Sequence, residues 1–142
     1  MFSKEESRLL RQEFWISFGK SFPQKWILYN TKLKGLSFKF HFDTKKALVA
    51  LDLEDDLEHR INYWEKLVAL KSILLDNYLP NAIYDEAYIL DNYKEISRIY
   101  VPLELKVSIH NKNSWQQVMV FFNETMTLFE AFFMEYKEVI EG

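Results

Sequence analysis

The chain has no cysteine. That absence removes disulfides, thiolate nucleophiles, zinc–thiolate sites and iron–sulfur ligation together, and it suits a reducing cytosol. Glycine and proline are almost as scarce, three of each in 142 residues. With only Gly19, Gly35 and Gly142 there is no glycine-rich phosphate loop, no dinucleotide fingerprint and no nucleophile elbow. His41, His59 and His110 are scattered singly, so the i, i+4 histidine pair of a zinc protease is missing too. No apolar run approaches the roughly 20 residues of a membrane span. The opening MFSKEESRLL carries charges where a secretory signal has its apolar core. The expectation is a cytoplasmic protein with no membrane segment, no metal site and no cofactor.

What is present is aromatic. Phe, Trp and Tyr make up 17% of the residues, and each buried ring hides roughly 150–250 Å², so a large core needs no metal or disulfide staple. The length predicts a single domain over residues 1–142. Charge is unevenly divided. Residues 1–46 hold ten Lys/Arg against four Asp/Glu, net +6, and residues 47–142 hold eight against seventeen, net −9. Such asymmetry can mark a nucleic-acid face, but basic residues spread singly also let two halves of one domain attract each other.

The clearest local signal is Leu36–Leu53, LSFKFHFDTKKALVALDL. Leu36, Phe38, Phe40 and Phe42 alternate with polar residues, Asp43–Lys46 is a short polar turn, and Ala47, Val49, Leu51 and Leu53 resume the alternation. Symmetric closure predicts a hairpin with Phe42 opposite Ala47, Phe40 opposite Val49, Phe38 opposite Leu51 and Leu36 opposite Leu53. A slip of one residue would turn the apolar face outward.

Around it, Ser3 and Glu6 form a capping-box pattern for a helix running to about Lys20, with Leu10, Phe14 and Phe18 on one stripe. Gln24–Gly35 reads as either a short strand or an aromatic-anchored loop, with a turn at Lys34–Gly35. Glu54–Asp56 opens a helix running to about Tyr78, its apolar stripe built from Leu57, Ile61, Trp64, Leu67, Val68, Leu74 and Leu75. Ala82–Leu90 and Ile96–Leu103 read as a second hairpin, with Pro102 at a sheet edge or near a strand end. Ser114 and Gln117 give another capping-box pattern for a long helix over Trp115 to about Ile140. Phe121, Leu128 and Ala131 lie off its main stripe, so this helix is either sandwiched in the fold or used for self-association. The order α-β-β-α-β-β-α predicts an α+β fold, an antiparallel sheet of about four or five strands packed by three helices.

Two arrangements could carry function. Glu104-Leu105-Lys106, with Asp85 or Asp52 and Glu54 upstream, matches the carboxylate plus acid-x-Lys pattern that nucleases of the restriction-endonuclease type use to hold Mg²⁺ and activate water. Pro102 disturbs the central strand such a site needs. The other is a surface. Lys39, His41 and Asp52 share the outer face of the first hairpin, and Tyr88, Arg98 and Tyr100 join them if the two hairpins meet edge to edge. That face suits a peptide, an anion or single-stranded nucleic acid, unless a helix covers it, as Leu48 and Ala50 would favour.

The segments EFWISFGKSFPQKW (13–26), WEKL (64–67), RIYVPLE (98–104) and HNKNSWQQVMVFFNE (110–124) resemble a bacterial domain of unknown function, the family numbered 4268. The resemblance covers nearly the whole chain and implies a bacterial source. The family also occurs at the C-terminus of longer proteins, some with nuclease-like N-terminal parts, which implies an association with nucleic acid by analogy alone. Together these readings predict a non-enzymatic binding or interaction domain for a protein partner or a second copy. The alternative is a nucleic-acid-associated accessory domain or degenerate restriction-endonuclease-like nuclease.

Overall fold

A computed structural model describes residues 2–142. Its sheet has four antiparallel strands in the order β1-β2-β4-β3: β1 (Leu36–Phe42), β2 (Ala47–Leu53), β3 (Ile83–Ile89) and β4 (Glu95–Pro102). Four helices accompany it, α1 (Lys4–Ser21), α2 (Leu57–Ala69), α3 (Lys71–Asn77) and α4 (Trp115–Glu141). The fold is α+β, as the sequence predicts. Among the described residues, no helix is long and apolar enough to cross a membrane.

The first hairpin has the expected register, Phe42 against Ala47 through to Leu36 against Leu53. Asp43 closes the turn. Its backbone N–H donates to the Lys46 carbonyl at 3.0 Å, and its Oδ1 accepts from the N–H groups of Lys45 and Lys46 at 2.8 and 2.9 Å. At the other end Gly35 enters the strand with φ +80, and a Cβ there would stand 2.7 Å from the Cβ of Asp55, so both conformation and space require glycine.

One buried cluster joins the sheet's first face to all four helices. Phe14 and Phe18 of α1 pack on Phe42 and Phe40, with ring centroids 4.8 and 5.3 Å apart. Phe122 of α4 fills the space between them, 4.9 Å from Phe40 and 5.7 Å from Phe18. Farther along α4, Phe129 and Phe133 flank Phe38 at 5.7 and 5.5 Å. Edge-to-face pairs at these distances add to the area term. Segment 24–35 is a loop rather than a strand. It is tied down where the Ile27 N–H donates to Glu130 of α4 at 2.6 Å and the Phe38 N–H donates to the Leu28 carbonyl.

The helices differ from expectation in three details. The helix expected to reach Tyr78 breaks at Leu70 (φ −93, ψ 3) into α2 and α3, and this bend keeps Leu67, Leu70 and Leu74 buried together. Leu57, Ile61 and Val68 of the expected stripe are instead 62, 46 and 45% exposed. Two overlapping stripes satisfy a 3.6-residue period on α2, and the core took the one through Trp64 and Leu67. Ser114 does not cap α4. It is helical already (φ −89), sits in a 3₁₀ turn capped by Asn111, and directs its hydroxyl to the Ser108 and Asn111 carbonyls. By contrast both halves of the Ser3–Glu6 capping box form.

α4 has neighbours on both flanks and buries its Phe122, Phe129, Phe132 and Phe133 almost completely, yet Leu128, Met134 and Val139 of its outer side stay exposed. Phe122→Ala removes a ring touching both α1 and β1. It is expected to cost about 3–5 kcal/mol, measured as a lowered urea midpoint at unchanged slope.

Candidate functional site

The sheet's second face carries the residues singled out above. Backbone pairing brings them together: Asp52 lies opposite Arg98 across β2 and β4, Lys39 opposite Ala50, His41 opposite Leu48, and Ala50 opposite Tyr100. Asp52 has no exposed surface. Arg98 binds it through both carboxylate oxygens, Nε to Oδ1 at 2.7 Å and Nη2 to Oδ2 at 2.9 Å, the bidentate geometry in which charge-assisted bonds are strongest. The Lys39 ammonium lies between Asp52, at 3.3 Å, and Glu54, at 2.7 Å, and Lys94 approaches Glu54 at 3.5 Å.

The electrostatics follow from that chain of contacts. Burial opposes charge on Lys39, but the bond to Glu54 and the field of Asp52 outweigh it and hold its pKa above the ordinary lysine value. Glu54 is the mirror case, with burial opposed and overcome by Lys39, so its carboxyl sits low. Burial likewise opposes charge on Arg98, and Asp52 wins. Among the described residues every buried side-chain nitrogen and oxygen has a hydrogen-bond partner.

Tyr88 reaches this face through an irregularity. Asp85 pairs with Arg98, but Tyr88 pairs with Ile96, one residue out of step. That β-bulge reverses the alternation. Tyr84 points to the core, packing on Trp64 and donating its hydroxyl to the Leu67 carbonyl. Tyr88, four residues on, would do the same in a regular strand. Because of the bulge it lies over the Arg98 guanidinium, 4.4 Å from the ring centroid, and 5.6 Å from the Tyr100 ring.

All four helices contribute to the core on the first face, whereas Leu48, Ala50 and Ile96 of the second face are outside that cluster. Strands and turns alone shape a groove of about 670 Å³ here, with Leu48 and Arg98 in its floor, His41 and Lys46 on one wall and Tyr88 and Asn92 on the other. Lys39, Asp52 and Tyr100 do not line it. They support it from the sheet.

The acid-x-Lys pattern does not assemble. Glu104 and Lys106 are exposed beyond the end of β4, past the Leu48–Pro102 pair, while Asp52 lies four residues away along β2 and is occupied by Arg98. The group among the described residues that could share an ion is one sequence reading overlooked, Asp55, Asp56 and His59. Their geometry is that of a helix start: Asp56 Oδ1 accepts the His59 N–H and Oδ2 meets His59 Nδ1 at 2.7 Å. The other histidines also have partners, His41 its near neighbour Asp43 at 2.7 Å and His110 the distant Ser7 of α1 at 2.8 Å.

Two measurements check this description. Asp52→Ala leaves Arg98 and Lys39 without their buried anion and is expected to destabilise by about 3–5 kcal/mol, whereas Asp52→Leu combined with Arg98→Met restores most of that loss in denaturant unfolding. The bond to Asp56 raises the His59 pKa. Its stabilising contribution is therefore full below the ordinary imidazole pKa and is lost as pH rises through the raised value. An NMR titration should show His59 titrating above a free histidine, and Asp56→Asn should lower its midpoint.

Comparison with known proteins adds one match. No curated protein and no solved structure matches the chain. The match lies over residues 10–137, to the family described as Domain of unknown function (DUF4268), and runs from within α1 through nearly all of α4. The chain belongs to the DUF4268 family.

Proposed function

We propose that this is a non-enzymatic binding domain that takes an extended polar segment of a protein partner in the groove on the second sheet face. The observation that carries the reading is the groove itself, on the side of the sheet away from the helical core. Its walls offer groups of both signs together with amide and phenol groups, from Lys45, Lys46, Asp43, Asp91, Asn92 and Tyr88. That is the mixture a peptide backbone with polar side chains can satisfy. A catalytic reading has less to work with. Asp52 and Arg98 are bound to each other, and Lys39 is held by Glu54, so the charged groups in and beneath the floor hold structure together.

A second reading is self-association through the outer side of α4, favoured by the exposed Leu128, Met134 and Val139. Light scattering separates the two: a mass of 17.2 kDa at high concentration removes the dimer and leaves the groove reading intact. For the groove, titration of isotope-labelled protein with a library of unstructured polar peptides is expected to shift the amides of Leu48, Tyr88, Asn92 and Arg98. Lys46→Glu should weaken the best peptide about tenfold. Shifts confined to α4, or none with any peptide, would end the proposal.

A further inference from the structure

A second surface, on the other side of the Leu90–Lys94 turn from the groove, has a different chemistry. The two most exposed of the large apolar and aromatic side chains among the described residues are Tyr93, at 88%, and Tyr29, at 73%. Tyr29 lines an open cleft of about 580 Å³ together with Lys32, Lys34 and Lys94, and Tyr93 is the chain neighbour of Lys94. One exposed ring thus lines the cleft with three lysines, and a second adjoins it in the chain.

The backbone at these residues breaks local rules. Tyr93 has φ +68 and Lys32 has φ +67, the left-handed region that glycine and asparagine fill at least cost and that bulky side chains avoid. In the Leu90–Lys94 turn, closed by bonds from the Leu90 N–H to the Lys94 carbonyl and from the Tyr93 N–H to the Leu90 carbonyl, this is the position where a hairpin of this length prefers glycine. A tyrosine there, exposed and stacked on no other ring among the described residues, is a local inconsistency of the kind that collects at functional sites.

The charge of the cleft is positive. Its carboxylate, Glu54, already holds Lys39 at 2.7 Å and Lys94 at 3.5 Å. Among the described residues, Lys32 and Lys34 make no ion pair. Asp55 and Asp56 stand nearby at the start of α2. Asp55 accepts the Asp56 N–H, and Asp56 is engaged by the N–H and ring of His59.

We propose that a single strand of nucleic acid lies across this cleft, its phosphates on Lys32, Lys34 and Lys94 and two of its bases stacked on Tyr29 and Tyr93. Lysines that track a backbone beside exposed aromatic rings are the recurring means of binding single strands with little sequence preference, because every base has a face to stack. A duplex keeps those faces covered and offers the rings nothing. The surface is distinct from the peptide groove, and its occupancy does not depend on that reading.

The test is fluorescence anisotropy of a labelled fifteen-residue oligothymidylate with the full chain, beside a duplex of the same length and inorganic polyphosphate. Preferential binding of the single strand is expected, weakening about 20-fold between 50 and 200 mM salt if about three phosphates are neutralised. Tyr29→Ala and Tyr93→Ala should each lose about tenfold, and Lys32→Glu with Lys34→Glu should abolish binding at 200 mM. Tyr93→Asn relieves the backbone, so it should raise the melting temperature while weakening the oligonucleotide. No binding at 50 mM salt overturns the proposal. So does equal affinity for duplex or polyphosphate with the tyrosine variants unaffected, which would leave only a general attraction for polyanions.

Discussion

The register between β2 and β4 is the constraint on which the rest of this structure depends. All seven residues of β2 are buried, and the strand is hydrogen-bonded on both sides, to β1 and to β4. Its Leu51 and Val49 face the phenylalanine layer, and its Asp52 faces the other way, against Arg98. If β4 slipped by one residue, Arg98 would enter the aromatic core and Ile99 would leave it. The bidentate ion pair need not add net stability to penalise that slip, since an unpaired charge among phenylalanine rings is far more costly than the pair is favourable. Polar specificity on one face thus protects apolar packing on the other.

How much of this was legible beforehand depends on how local each signal is. The β1–β2 hairpin was readable pair by pair, because its alternation and its turn lie within eighteen residues and agree with each other. The Ser3–Glu6 box was readable for the same reason, while the identical-looking Ser114–Gln117 pattern misled. An upstream Asn111 already starts a 3₁₀ turn there, and Ser114 enters the helix with its hydroxyl engaged elsewhere. On α2 the apolar residues fit two stripes, and periodicity alone cannot say which one the sheet will meet.

The candidate surface shows the same division. Alternation placed Lys39, His41 and Asp52 on one side of the first hairpin, and Arg98 and Tyr100 on one side of the second. What joined them was the pairing of β2 with β4, a contact between residues 46 apart in the chain, which no local pattern announces. Tyr88 reached that surface only through the bulge. A strict alternation from the core-facing Tyr84 would have put it on the wrong side. That strands and turns alone line the groove was equally invisible, because it depends on all four helices joining the core on the first face.

The bulge in β3 has one more effect. β3 is an outer strand, with Ile83 and Ile89 exposed on it, and a straight outer strand with apolar side chains invites a strand from another molecule to add on. The extra residue between Asp85 and Tyr88 interrupts the even row of outward amides and carbonyls and increases the local twist. The irregularity that aims a tyrosine at the sheet face therefore also makes this border a poor template, so that chains meeting edge to edge find no continuous ladder to extend.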